Sequence, residues 1–182
     1  MASVITATTT SGLTQSADNS GVLQLASGVG NLVTVPSVTG TAMVSGNMPA
    51  FSAYQSSAQT LPTNINTKIF YQTEEYDTAN AFDATTNYRF TPQVAGYYQV
   101  SGGFSIGATA CGQRLQIVKN GSSYKTIFNA LSTTVNASYG SALVYFNGST
   151  DYVELFGFVG VGQILQAFIE TTYFQASMVR AA

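Results

Sequence analysis

Apolar and polar positions alternate most clearly between Gly96 and Ile106, where Tyr98, Val100, Phe104 and Ile106 fall on one side of the chain at period two. A strand with one buried face produces that pattern. Farther along, Arg114–Lys119 and Tyr124–Phe128 are strand-like runs separated by Asn120-Gly121. Asn-Gly accepts the positive φ angles of a tight type I′ turn, so a hairpin is expected there. Ala142–Phe146 and Tyr152–Phe156 flank Asn147-Gly148-Ser149-Thr150-Asp151 and predict a second hairpin with a longer loop. Residues 163–179 supply the closing strands. Good helix formers at helical period are missing from every window of useful length. Short strands between turn signals predict an all-β fold, an antiparallel sandwich or jelly roll.

The pattern changes near residue 48. All 22 Phe and Tyr residues lie at or after Phe51, and Asp18 is the only charge before Lys68. Residues 1–48 thus lack both the bulky side chains of a private core and the charge of a self-repelling tail. They carry three short extended pieces, Val22–Leu25, Asn31–Val35 and Thr41–Val44, bounded by Gly, Pro, Asn or Ser. Such pieces bury little alone. They predict an extended N-terminal arm over 1–48 that adds strands to a neighbouring copy or a larger assembly. The alternative is a leader ordered only locally. Residues 49–182 then form the jelly-roll head.

Composition sharpens this division. Only 14 of the 182 residues are charged, against 65 Thr, Ser, Gln and Asn, so hydroxyls and amides replace ions on the surface. A typical domain carries about 25% charged residues. Six scattered basic residues and a net charge of -2 cannot neutralise a run of phosphates, and nucleic acid is not an expected partner. With no His and one Cys, zinc sets and imidazole-based triads are excluded. Cys111, beside Gly112, reads as a small apolar filler. The N-terminus has neither a basic start nor an apolar block, and nowhere do ~18 apolar residues run together. The expectation is a soluble chain without secretion signal or membrane insertion, whose three Asn-x-Ser sequons arise from composition.

Candidate chemistry is sparse. Glu74, Glu75 and Asp77 form the only local acidic cluster and read as a solvated loop rather than as hard-cation ligands. Asp151 and Glu154 have the spacing to be considered as a glycosidase pair. Asp151 is expected in a turn, however, and Glu154 on an outward strand face. No catalytic residue, metal or cofactor is therefore assigned, and the chain is read as non-enzymatic. Tyr124, Tyr139 and Tyr152 lie beside loops where rings could stack on sugars, and packing between subunits is the competing role for them.

The landmarks Ala50-Phe51-Ser52-Ala53, Lys68-Ile69-Phe70, Ala81-Phe82-Asp83 and Tyr88-Arg89-Phe90-Thr91-Pro92 are followed by Gly96-Tyr97-Tyr98 and Val118-Lys119-Asn120-Gly121. Val144-Tyr145-Phe146-Asn147-Gly148, Asp151–Leu155 and Phe174–Val179 complete the order. Together they resemble the globular head shared by complement C-one-q and the tumour necrosis factor superfamily, over roughly residues 49–180. The resemblance implies a ten-stranded jelly roll assembled as a tight homotrimer. Strands around Ile164, Phe168 and Phe174 are the expected trimer contacts. Gln99-Val100 replaces the usual aromatic after Gly-x-Tyr, and the sequence has no collagen-like Gly-X-Y stretch. Both departures point away from complement or cytokine signalling. Gly12–Leu25 is similar to the Thr, Gly and Gln-rich leaders of tailed-bacteriophage structural proteins. That likeness implies a virion protein, a trimeric capsid decoration or cement protein or a short fibre, held to other virion proteins by residues 1–48. A fibre tip binding a bacterial surface glycan is the alternative.

Overall fold

The computed structural model describes residues 23–26, 32–35, 48–107 and 110–182, the first two segments as backbone. The chain divides into two units, Met1–Gly40 and Thr41–Ala182. In the first, β1 (Leu23–Ala26) and β2 (Leu32–Val35) pair antiparallel, with Leu23 opposite Val35 and Ala26 opposite Leu32. Two of the three expected arm strands are thus present and satisfy one edge of each other. The third, Thr41–Val44, lies outside the described residues.

The second unit is a jelly roll. Its strands are β3 (Ala50–Tyr54), β4 (Gln59–Leu61), β5 (Thr67–Lys68), β6 (Thr73–Asp77), β7 (Phe82–Asp83) and β8 (Arg89–Phe90). These are followed by β9 (Gly96–Ser105), β10 (Cys111–Lys119), β11 (Ser122–Val135) and β12 (Ala137–Phe146). The last three are β13 (Val153–Val159), β14 (Gln163–Leu165) and β15 (Tyr173–Ala181). One sheet has the order β12-β9-β15-β3-β6; the facing sheet runs β11-β10-β13-β8-β7, with β5 also on β13. These eleven strands exceed the ten implied by resemblance because β5, β7 and β8 are two-residue pieces. A small β14-β4 sheet closes one end. No helix occurs among the described residues.

Alternation places the core. Tyr98, Val100, Phe104 and Ile106 are all buried, as their spacing required. Asn120 (φ 51°) and Gly121 (φ 76°) turn β10 into β11, with Lys119 opposite Ser122, so the first hairpin forms where Asn-Gly placed it. Phe51 stacks on Phe82 and Phe90 at 4.6 and 4.5 Å and meets the edge of Phe174 at 5.0 Å. These rings come from both sheets and join them. Ser138 and Gln113 form a buried polar chain: the Ser138 hydroxyl donates to Gln113 Oε1 at 2.6 Å, and Gln113 Nε2 donates to the Val135 carbonyl at 2.7 Å.

Two sequence expectations are corrected. Residues 147–151 do not close a hairpin: β12 pairs with β9 and β13 with β10, so the loop crosses between sheets. The cause is local. Asn147 Oδ1 accepts the N–H groups of Ser149, Thr150 and Asp151, and the tight turn lets Gly148 press onto the Ala95 backbone. The acidic cluster is likewise a strand, β6, at a sheet edge rather than a loop. Asp77 ends it by accepting the N–H groups of Ala79, Ala81 and Phe82.

Truncating the ring at the centre of the aromatic cluster tests this account. Phe51→Ala is expected to cost about 3–5 kcal/mol, read as a lowered urea midpoint. An unchanged midpoint would show that the sheets are held together elsewhere.

Candidate interaction surface

Only one face of each sheet can enter the core, so the other phase of each strand is presented outward. On the five-stranded sheet this outward face is ordered in rows. Tyr139, Gly103, Tyr173 and Tyr54 lie side by side across β12, β9, β15 and β3. The next rows are Ser141, Ser101, Gln175 and Ser52, then Leu143, Gln99, Ser177 and Ala50, then Tyr145, Tyr97 and Arg180. Arg180 is the one charge in these four rows.

Tyrosines dominate both ends of the face. Tyr97 and Tyr145 are 41% exposed and meet at 5.4 Å. At the other end Tyr139 and Tyr173 stack at 6.0 Å with 16° between ring planes, across Gly103. A Cβ on Gly103 would collide with the Tyr139 ring and come within 2.7 Å of the Ser138 carbonyl. Glycine is therefore what lets the two rings meet. Burial, and secondarily the Tyr173 phenol, push the Tyr139 hydroxyl pKa up.

The two edges differ in charge. Along β12 the unpaired carbonyls of Leu143 and Tyr145 accept from Lys125 Nζ at 2.8 Å and Lys119 Nζ at 2.7 Å. Lysines from the facing sheet thus cap an edge that would otherwise invite another strand. Along β6 a bulge opposite Ser52 and Ala53 sets the Glu75 carboxylate over the outward face, where Oε2 accepts from the Ser52 hydroxyl at 2.6 Å. Beside it, partial burial and then the charges of Asp77 and Asp83 push the Glu74 carboxyl up.

The residues singled out from sequence are scattered. Phe174 is fully buried against Phe51, Tyr71 and Phe82, and it has no surface to offer a neighbouring subunit. This corrects its expected contact role: in Tyr173–Met178 it shares the inward phase with Ala176 and Met178. Ile164 and Phe168 are both exposed, and Ile164 lines a cavity of about 510 Å³ at the end of the head with Thr60, Gly107, Gln163 and Gln166 among others. Tyr124 and Tyr152 adjoin the Lys119-Asn120 turn, whereas Tyr139 belongs to the sheet face, so the three form no single glycan site. Glu154 is on the outward phase of β13, as expected, yet it is buried, because Lys68 covers it with an ion pair of 2.6 Å. Asp151 pairs with Lys119 at 2.8 Å. Cys111 is buried, with its thiol 3.9 Å from the Val161 carbonyl. Tyr97, Leu143 and Tyr145 were missed. Their signal is the doublets Tyr97-Tyr98 and Tyr145-Phe146, where one ring must face out whichever faces in.

Among the described residues no group of three or more acidic, Cys or His side chains gathers to hold a metal, and no helix is long and apolar enough to cross a membrane. No family model and no curated protein matches the sequence. Solved structures do resemble it. Murine APRIL at pH 8.0 is 8% identical over 72% of this chain and 99% of its own, with a TM-score of 0.57. Eiger TNF from S. frugiperda is 8% identical over 74% of this chain and 93% of its own, with a TM-score of 0.55. The globular domain of zebrafish complement 1qA is 19% identical over 74% and 99%, at a TM-score of 0.48. The first two likenesses establish the fold, a jelly roll of the tumour necrosis factor type.

Two outcomes follow from this geometry. Gly103→Val should displace Tyr139 from Tyr173, with loss of near-ultraviolet tyrosine dichroism; an unaltered spectrum would refute the role of Gly103. Asp83 is held below the usual carboxylate range by the N–H groups of Thr86, Thr85 and Asn87 and the Asn87 amide, and Asp151 by Lys119, Asn120 and the Asn147 N–H. Depressed pKa values in the fold stabilise it above the unfolded carboxylate pKa of about 4 and lose that contribution as pH falls through the folded values. The melting temperature should therefore drop on acidification below about pH 4, and less steeply in Asp83→Asn. Identical slopes in the two proteins would contradict this assignment.

Proposed function

We propose that this chain is a non-enzymatic structural protein of a tailed-bacteriophage virion. In this reading it is a homotrimeric capsid decoration or cement protein, or a short fibre, attached through residues 1–48. The observation that carries the reading is the outward face of the five-stranded sheet, which is nearly free of charge and studded with tyrosines. A monomer would leave that face open to water, where large apolar patches invite association. The resemblance to trimeric heads supplies the stoichiometry.

The carboxylates support a structural role. Asp77 and Asp83 cap turns, Asp151 and Glu154 are ion-paired, and Glu75 binds Ser52. Each is engaged in holding the fold. The ends of the head also suit attachment. The Pro49 carbonyl accepts the Met178 N–H, and Ala182 bonds to Ala95, so the chain enters at the end that holds the C-terminus. β9 runs from there to Ser105, about 30 Å away. At that far end Ile164, Phe168 and Ile169 are exposed. This apolar tip is what favours the second reading, a fibre tip recognising a bacterial surface glycan.

Analytical ultracentrifugation at micromolar concentration is expected to give the mass of three chains. Leu143→Asp should reduce it to one, because a carboxylate would be left in each dry contact. A monomeric wild-type protein would overturn the assembly. For attachment, particles lacking the protein should retain the full chain but not a variant lacking residues 1–48. Retention should persist at high salt, since strand pairing needs no charge. Equal retention of the shortened protein would move attachment to the head.

A further inference from the structure

Each edge of the five-stranded sheet carries a charge, Lys125 beside β12 and Glu75 on β6, that has no ion partner among the described residues of its own chain. Among the described residues the ion pairs are Lys68–Glu154 and Lys119–Asp151, which leave Lys125 and Glu75 unpaired as charges. Both are nevertheless fixed. Lys125 is held by the Leu143 carbonyl and lies 5.4 Å from the centre of the exposed Tyr124 ring, and Glu75 is held by Ser52. Four strand spacings of about 4.8 Å separate β12 from β6, so the two edges of one sheet are roughly 19 Å apart. No rotamer change brings that lysine and that glutamate together in one chain. A second chain can.

We propose that the interface is polar in direction: the lysine edge of one copy, centred on Lys125, docks against the Glu75 edge of the next copy's sheet, and the contact repeats around the trimer. The inference rests on the trimeric reading above and adds to it the register and sense of the contact. The rows between the edges, uncharged apart from Arg180, supply the buried area, while the edge charges exclude wrong alignments. Sliding or inverting one sheet would set lysine against lysine or glutamate against glutamate, and like charges facing each other in a contact are costly. Glu74 and Asp77 on the same strand deepen the negative potential that Lys125 meets. The exposed Tyr124 and Tyr76 beside the two charges shield the pair from water.

The test is a charge exchange on the full-length protein, read by sedimentation equilibrium. Lys125→Glu and Glu75→Lys alone should each weaken assembly by about tenfold or more, since every contact in the ring places like charges together. The double variant Lys125→Glu with Glu75→Lys should recover wild-type assembly to within about threefold, because the pair is restored with its signs exchanged. A variant-free measurement accompanies it: dissociation of the wild-type trimer should rise with sodium chloride. Circular dichroism and melting temperature confirm that each variant is folded. If the wild-type protein is not a trimer, the trimeric reading fails and this inference with it. If it is a trimer and single reversals or salt leave its dissociation unchanged, the inference alone is overturned. Failure of the double variant to recover overturns it equally, since the two charges would then act on separate partners.

Discussion

Phe51, Phe174, Phe82 and Phe90 come two from each sheet, and their mutual contact fixes how the sheets face each other. Offset stacks and edge contacts at 4.5–5.7 Å are favourable beyond the apolar area they bury. The remaining placements depend on this cluster. With β3 and β15 held against β7 and β8, the inward phase of every other strand is decided. The outward phase, with its tyrosines and amides, is then whatever the sequence leaves over.

That remainder explains the unusual surface. A sandwich has two outer faces and open edges, and charge is the common way to keep both apart from neighbours. Here charge is concentrated at edges and turns, where lysines cap carbonyls and aspartates cap N–H groups. The face of the five-stranded sheet receives little. Strand edges are thus guarded against indiscriminate pairing while one broad face stays available for association. Selectivity between those two kinds of contact comes from where the charges of the head are placed, rather than from their number.

Sequence reading reached the fold through alternation and turn chemistry. Residues 96–106 and Asn120-Gly121 each carry a physical requirement that tertiary context did not override. Alternation reports the phase of a strand but not the sheet it joins, which is why Phe146 and Val153 looked like the two sides of a hairpin. Glu154 misled for a related reason: its outward phase was legible, but the lysine that buries it lies 86 positions earlier. The inward phase of Phe174 was readable from its alternation with Ala176 and Met178. The sheet face itself was hidden by aromatic doublets, whose two rings belong to opposite faces. The pairing of Lys125 with β12 could not be read at all, since it depends on two sheets meeting at a corner.

The side chain of Asn120 is bound at both ends: Nδ2 donates to Asp151 at 2.7 Å and Oδ1 accepts the Tyr152 N–H at 2.9 Å. Asn147, also followed by glycine, has its Oδ1 taken by three N–H groups and its Nδ2 by Thr150. Asn-Gly is the dipeptide in which the next backbone nitrogen most readily attacks the amide carbon, releasing ammonia through a cyclic imide. Each attack here must first break the bonds that hold the amide in place. The two turns that shape this end of the head are therefore also protected against the slow covalent ageing that their own sequence invites.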